Sequence, residues 1–108
     1  MYFMIRLTEK EELVMKSIWE IASPFSIRDL SSPYPYTTVA SIVKNLQMKG
    51  YVSIKTPMKA TNRYLYNIVI SKDDYILNNL RNLFSDFCGY KSHVLIEFVM
   101  RVLCEKDE

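Results

Sequence analysis

Glycine, cysteine and histidine are scarce in this chain: two glycines, two cysteines and one histidine among 108 residues. With Gly50 and Gly89 alone, 39 positions apart, there is no glycine-rich loop to cradle a phosphate. One histidine, His93, leaves little material for a Ser-His-Asp or Cys-His centre. Cys88, His93 and Cys104 do not have the spacing of a compact zinc site and no fourth ligand is evident, so neither a metal nor another cofactor is expected. The sequence therefore argues against an enzyme. Long apolar runs are also missing. The opening "MYFMIRLTEKEE" has the character of neither a signal peptide nor a membrane anchor, and two cysteines without a leader suit a reducing interior. A cytoplasmic protein with free thiols and no stable membrane association is the expectation.

The most informative absence is of negative charge. The net charge is only +2, but residues 1–66 hold nine basic and five acidic side chains and residues 67–108 hold five and seven, a split of +4 against −2. No Asp or Glu lies between Asp29 and Asp73, a stretch that contains Lys44, Lys49, Lys55, Lys59, Arg63 and Lys72. A polyanion is the natural partner of such a stretch.

What is present reads as helices followed by a ribbon. Thr8 with Glu11 three residues on has the form of a capping box, and Val14, Met15, Ile18, Ile21 and Ala22 mark one face of a first helix that Pro24 stops. Ser26 and Asp29 repeat the capping pattern for a short second helix, and "SSPYPY" makes a proline-bent turn. In a third helix Val39, Ile42, Val43 and Leu46 form one apolar stripe, and Gly50 follows as a left-handed terminator. "YVSIKT" and "NRYLYNIVI", separated by "PMKA" and its neighbours, predict a β-hairpin with a basic tip. Tyr64 and Tyr66 share one side of its second strand and are expected to pack in the core and across strands. Two more helices follow, the first capped by Ser71 and Asp74, the second spanning about Ser92 to Glu105, with Gly89 between. The expected fold is mainly α with a small β-hairpin: a winged helix-turn-helix at 1–70, which would bind DNA, followed by C-terminal dimerisation helices at 71–108.

A helix that enters the major groove needs one face fixed to its own domain and another bearing short polar or basic groups. On the third helix Thr37, Thr38, Ser41, Lys44 and Asn45 meet that need, with Tyr34 and Tyr36 just before them placed to touch a backbone. Lys55, Lys59 and Arg63 of the hairpin would lie along phosphates, adding affinity without sequence choice. In the C-terminal helices Leu80, Leu83, Phe84, Phe87, Val94, Leu95, Phe98, Val102 and Leu103 form more apolar surface than two helices can hide against each other. A second copy of the chain is the economical cover, giving a homodimer.

"LTEKEELVMKSIWE", "TTVASIVKNLQMKGYVSIK" and "RYLYNIVISKDDY" resemble, in order and spacing, the penicillinase and methicillin-resistance repressor family, which includes copper-responsive repressors. The similarity runs from about Leu7 to Val99, and its most telling residues are Glu12, Val14, Met15, Trp19, Thr38, Val39, Leu46, Lys49 and Gly50. The resemblance implies a dimeric repressor whose N-terminal winged helix sits on a two-fold, double-stranded DNA operator. It also implies, in the β-lactam-responsive branch, release by a sensor-linked protease that cuts the dimerisation helices. "HVLIEFV" is similar to the segment around that cut, and Glu97 and Phe98 stand where the family has an Asn-Phe pair, so this pair is the candidate cleavage site. Two other readings share the same pattern: a winged-helix module that binds proteins, and a small-molecule-responsive regulator of another winged-helix class.

Overall fold

The computed structural model describes residues 4–21, 23–58 and 63–106 of the protein. Two compact units divide the chain, Met1–Lys72 and Asp73–Glu108.

In the first unit, α1 (Glu9–Glu20) begins with the reciprocal cap its sequence predicts. The Thr8 hydroxyl accepts the Glu11 N–H at 3.3 Å and the Glu11 carboxylate accepts the Thr8 N–H at 2.9 Å. The helix ends earlier than its apolar periodicity suggests: Ile21 is already extended, and Ala22 lies outside the described residues. The second helix is reduced to a single 3-10 turn, Ile27–Asp29. Asp29 turns back to accept the Ser26 N–H at 2.9 Å, and Pro33 and Pro35 deny the segment any continuation.

Next comes α2 (Tyr36–Met48), whose Val39, Ile42, Val43 and Leu46 are buried as the stripe requires. It closes in a Schellman motif, with the Gly50 N–H on the Gln47 carbonyl at 3.1 Å and the Tyr51 N–H on the Leu46 carbonyl at 2.9 Å. Gly50 has φ 85°, which a residue with a side chain adopts only at a cost. Val14, Met15 and Ile18 of α1 meet this stripe, and Phe25, Tyr51 and Val52 complete the core. Trp19, at the margin of α1, donates its indole N–H to the Ile70 carbonyl at 3.0 Å.

Strands β1 (Val52–Met58) and β2 (Arg63–Ile68) pair antiparallel, with Ile54 opposite Tyr66 and Pro57 opposite Tyr64. One extra β1 residue between Ile54 and Pro57 makes a bulge. Pro57 and Met58, expected in the loop, thus belong to the strand; a proline lacking an N–H is tolerated beside a bulge on an edge strand. The hairpin has a neighbour that its own sequence does not announce. Phe25 exchanges both backbone hydrogen bonds with Tyr66, at 3.0 and 2.8 Å, and the two rings stack at 5.6 Å. Helices with a two-stranded wing make this a winged helix-turn-helix fold, as expected.

The second unit holds α3 (Lys72–Asp86), which starts in the first, and α4 (Ser92–Lys106). Gly89 and Tyr90 both take left-handed conformations at the turn, φ 57° and 61°, and Tyr90 packs edge-on against Phe84 at 5.5 Å. Cys88 and Cys104 are free thiols.

Candidate nucleic-acid interface

The stripe that anchors α2 determines what its other side presents. At 100° per residue the buried residues occupy one arc, and Thr37, Ser41, Lys44 and Met48 fall on the opposite one. Thr37, Ser41, Lys44 and Asn45 are exposed, as is Tyr36 at the first position, while Thr38 is half-buried at the margin. Neither Lys44 nor Lys55 has an acidic partner among the described residues. Met48 is 76% exposed on the same face. Its position on the helical wheel, opposite the buried stripe, is the sequence signal for it. A methyl-bearing side chain between polar ones suits the thymine C5-methyl in a groove.

Lys55 is exposed on β1, and Arg63 opens β2 opposite Met58. Lys59 falls outside the described residues. Tyr64 departs from the core-packing expectation, being 53% exposed, whereas Tyr66 is buried. Burial pushes the Tyr66 phenol above its ordinary range, with smaller contributions from the phenols of Tyr36 and Tyr64. The first residue of α2 is thus an electrostatic neighbour of the hairpin.

Lys49 leaves the cationic set. Its ammonium is hydrogen-bonded to the carboxylate of Glu11 and, at 3.0 Å, to the Arg6 carbonyl. The stretch without acids in the sequence meets an acid from α1 in space.

In the second unit the apolar residues remain uncovered within one chain. Only Cys88 is buried among the described residues 73–105. Phe87 is 80% exposed; Leu80, Leu83, Phe98, Val102 and Leu103 are exposed, and Phe84, Val94 and Leu95 are half-buried. Ile96 and Met100, absent from the expected set, are exposed as well. They widen the apolar arc of α4 to roughly two-thirds of its circumference, which leaves His93, Glu97 and Arg101 as a polar strip. Arg101 pairs with Glu97 at 3.2 Å and lies over the Phe98 ring. Among the described residues no helix is long and apolar enough to cross a membrane, and no cluster of His, Cys, Asp and Glu is arranged to hold a metal.

Residues 7–108 match the family model described as penicillinase repressor. No curated protein and no solved structure matches the chain.

Proposed function

The chain belongs to the penicillinase repressor family, and from that membership we propose that it is a sequence-specific repressor of transcription, acting in the cytoplasm as a homodimer on a two-fold DNA operator. One observation carries the reading to this chain's own residues. Helix α2 is fixed by four buried side chains and offers Thr37, Ser41, Lys44 and Asn45 to solvent on a helix face that carries no acidic residue of its own. In this reading α2 lies in the major groove with Tyr36 and Thr38 at its margins, and Lys55, Lys59 and Arg63 run along the phosphates beside it.

The two units divide the work. The first grips a half-site, and the second joins two copies through Leu80, Leu83, Phe84, Phe87, Val94, Leu95, Phe98, Val102 and Leu103. Coupling two half-sites multiplies affinity without a new contact, so whatever breaks the dimer releases the DNA. Cleavage at Glu97–Phe98 by a sensor-linked protease would do so, because it separates Phe98, Val102 and Leu103 from the rest of the face. The position of this pair in the middle of α4 supports that part of the reading.

Sedimentation equilibrium combined with fluorescence anisotropy on a random pool of duplexes tests the proposal. The expected result is a dimer whose affinity falls by orders of magnitude between low and moderate salt. A monomer that ignores every duplex at low salt refutes it, and would leave a protein-binding winged helix as the alternative.

A further inference from the structure

Between the 3-10 turn and the start of α2 lies an open cleft of about 270 Å³. Ile27, Leu30 and Val39 form its apolar part, and Arg28, Ser32, Tyr34 and Tyr36 supply its polar groups. Arg28 is exposed and has no acidic partner among the described residues. The acid next to it, Asp29, aims its carboxylate at the Ser26 amide instead. A second cation is close by, since the Lys10 ammonium stands 5.8 Å from the centre of the Tyr34 ring. Tyr36 belongs to both surfaces: it lines the cleft and opens the helix that carries Thr37, Ser41 and Lys44.

We infer that this cleft seats one phosphodiester of the DNA backbone, with Arg28 on the phosphate and the tyrosine rings against the sugar. The inference rests on the DNA-binding reading and deepens it by naming a backbone subsite outside α2 and the hairpin. Three features favour this occupant. In helix-turn-helix docking, the element before the recognition helix crosses the backbone while that helix enters the groove, so a strand passes over the junction of the two. The cleft lies at that junction. Its charge is complementary to a phosphate, and a planar guanidinium grips a phosphate through two parallel hydrogen bonds. Finally, it is open rather than enclosed, which suits a continuous strand better than a small molecule that must be surrounded to bind well.

The test compares the full chain with Arg28→Ala and Arg28→Lys on several unrelated duplexes across a salt series, followed by anisotropy. Arg28 is exposed, and circular dichroism checks that both variants fold. Each phosphate contact contributes about 0.9 to the slope of log affinity against log salt. The expected Arg28→Ala result is a slope shallower by about one per engaged subunit, roughly eightfold weaker binding per contact at 0.1 M salt, and the same loss on every duplex. Arg28→Lys should recover the slope. An unchanged slope in Arg28→Ala overturns the subsite while leaving the DNA reading intact, and a loss confined to some duplexes overturns it by making Arg28 a base reader. Saturable, Arg28-dependent binding of benzoate with an unchanged slope reassigns the cleft to a small anion. A wild-type chain that binds no duplex ends both readings.

Discussion

Lys49, just past the last turn of α2, is ion-paired with Glu11 in the first turn of α1, 38 residues away in the chain. Glu11 is buried, whereas Lys49 keeps 23% of its side chain exposed. The Glu11 carboxylate also caps α1 through Thr8, so one carboxylate fixes the start of one helix and the end of the other. Through this pair α1 determines where the C-terminal end of α2 lies, and with it the surface that carries Lys44 and Met48.

The pair should be asymmetric under mutation. Lys49→Met strands a buried carboxylate and should cost about 2–3 kcal/mol, whereas Glu11→Gln keeps an acceptor for the Thr8 amide and frees a cation that can reach water, costing about 1 kcal/mol. Urea unfolding of both variants measures this. Equal losses would mean that the buried charge is not the source of the cost.

The same pair sets an acid dependence. Burial alone would raise the Glu11 carboxyl, but the Lys49 hydrogen bond, the Thr8 bonds and the Lys49 charge outweigh it and hold the group below its ordinary 4.5. A depressed folded-state value gives stability that is fully present above the unfolded value and lost as pH falls through the folded one. The stability gap between wild type and Lys49→Met should therefore be widest at neutral pH and shrink as pH falls, first as the variant's stranded Glu11 carboxyl, raised by burial, takes up its proton and last as the wild-type group does. A gap that stays constant down to about pH 3 contradicts the assignment.

What was legible in the sequence was local. The Thr8–Glu11 box, the four-residue stripe of α2 and the Gly50 terminator each depend on residues within one or two turns, and each forms as read. The misreadings needed contacts between segments far apart. The bridge of Phe25 to Tyr66 joins the predicted second strand to a residue whose own neighbours carry no strand pattern. Strand parity gave Tyr64 and Tyr66 a common face, but not how far along the ribbon the core extends. Phe25 covers Tyr66 and leaves Tyr64, two residues nearer the tip, in solvent. Lys49 looked like another surface cation because its acid comes from α1. The exposed face of α2 was legible because its complement, the buried stripe, is strictly periodic.

Alkaline titration should separate the tyrosines. Burial raises the phenols of Tyr51 and Tyr66, and Glu11 and Glu12 push Tyr51 further. Tyr51 also donates its hydroxyl to the Ile5 carbonyl at 2.6 Å, a bond available only to the neutral form. A raised folded-state value confers stability below the unfolded value of 10.0 that disappears as pH climbs through the folded one. Tyr51 and Tyr66 should ionise late in an ultraviolet titration, and Tyr51→Phe should remove one late step and about 1 kcal/mol of stability at neutral pH.

On DNA, two pairs of substitutions should behave differently. Lys44→Ala with Lys55→Ala removes point charges, so affinity should fall on all duplexes and the salt slope should become shallower by about two per subunit if both lysines reach phosphates. Ser41→Ala with Asn45→Ala removes hydrogen-bonding groups but no charge. It should keep the slope and change the ranking of duplexes, by about 1–3 kcal/mol at each base read. Competition binding with a selected duplex and scrambled duplexes distinguishes them, and identical behaviour of the two pairs would remove α2 from the groove.

The dimer assignment turns on the apolar arc of α4. Phe98 is 53% exposed within one chain and lies beside the Glu97–Arg101 pair, at the border between the arc and the polar strip. Phe98→Glu places a charge where the second copy should press, and burying an unpaired carboxylate costs more than such a contact can return. The variant should sediment as a monomer and lose the avidity of two linked half-sites, with the fold of each unit unchanged by circular dichroism. Glu97→Gln, on the polar strip, tests whether any change nearby has this effect; it should leave the dimer intact. If Phe98→Glu remains dimeric, the second copy covers some other part of the arc, and Ile96 with Met100 on its opposite border are the residues to replace next.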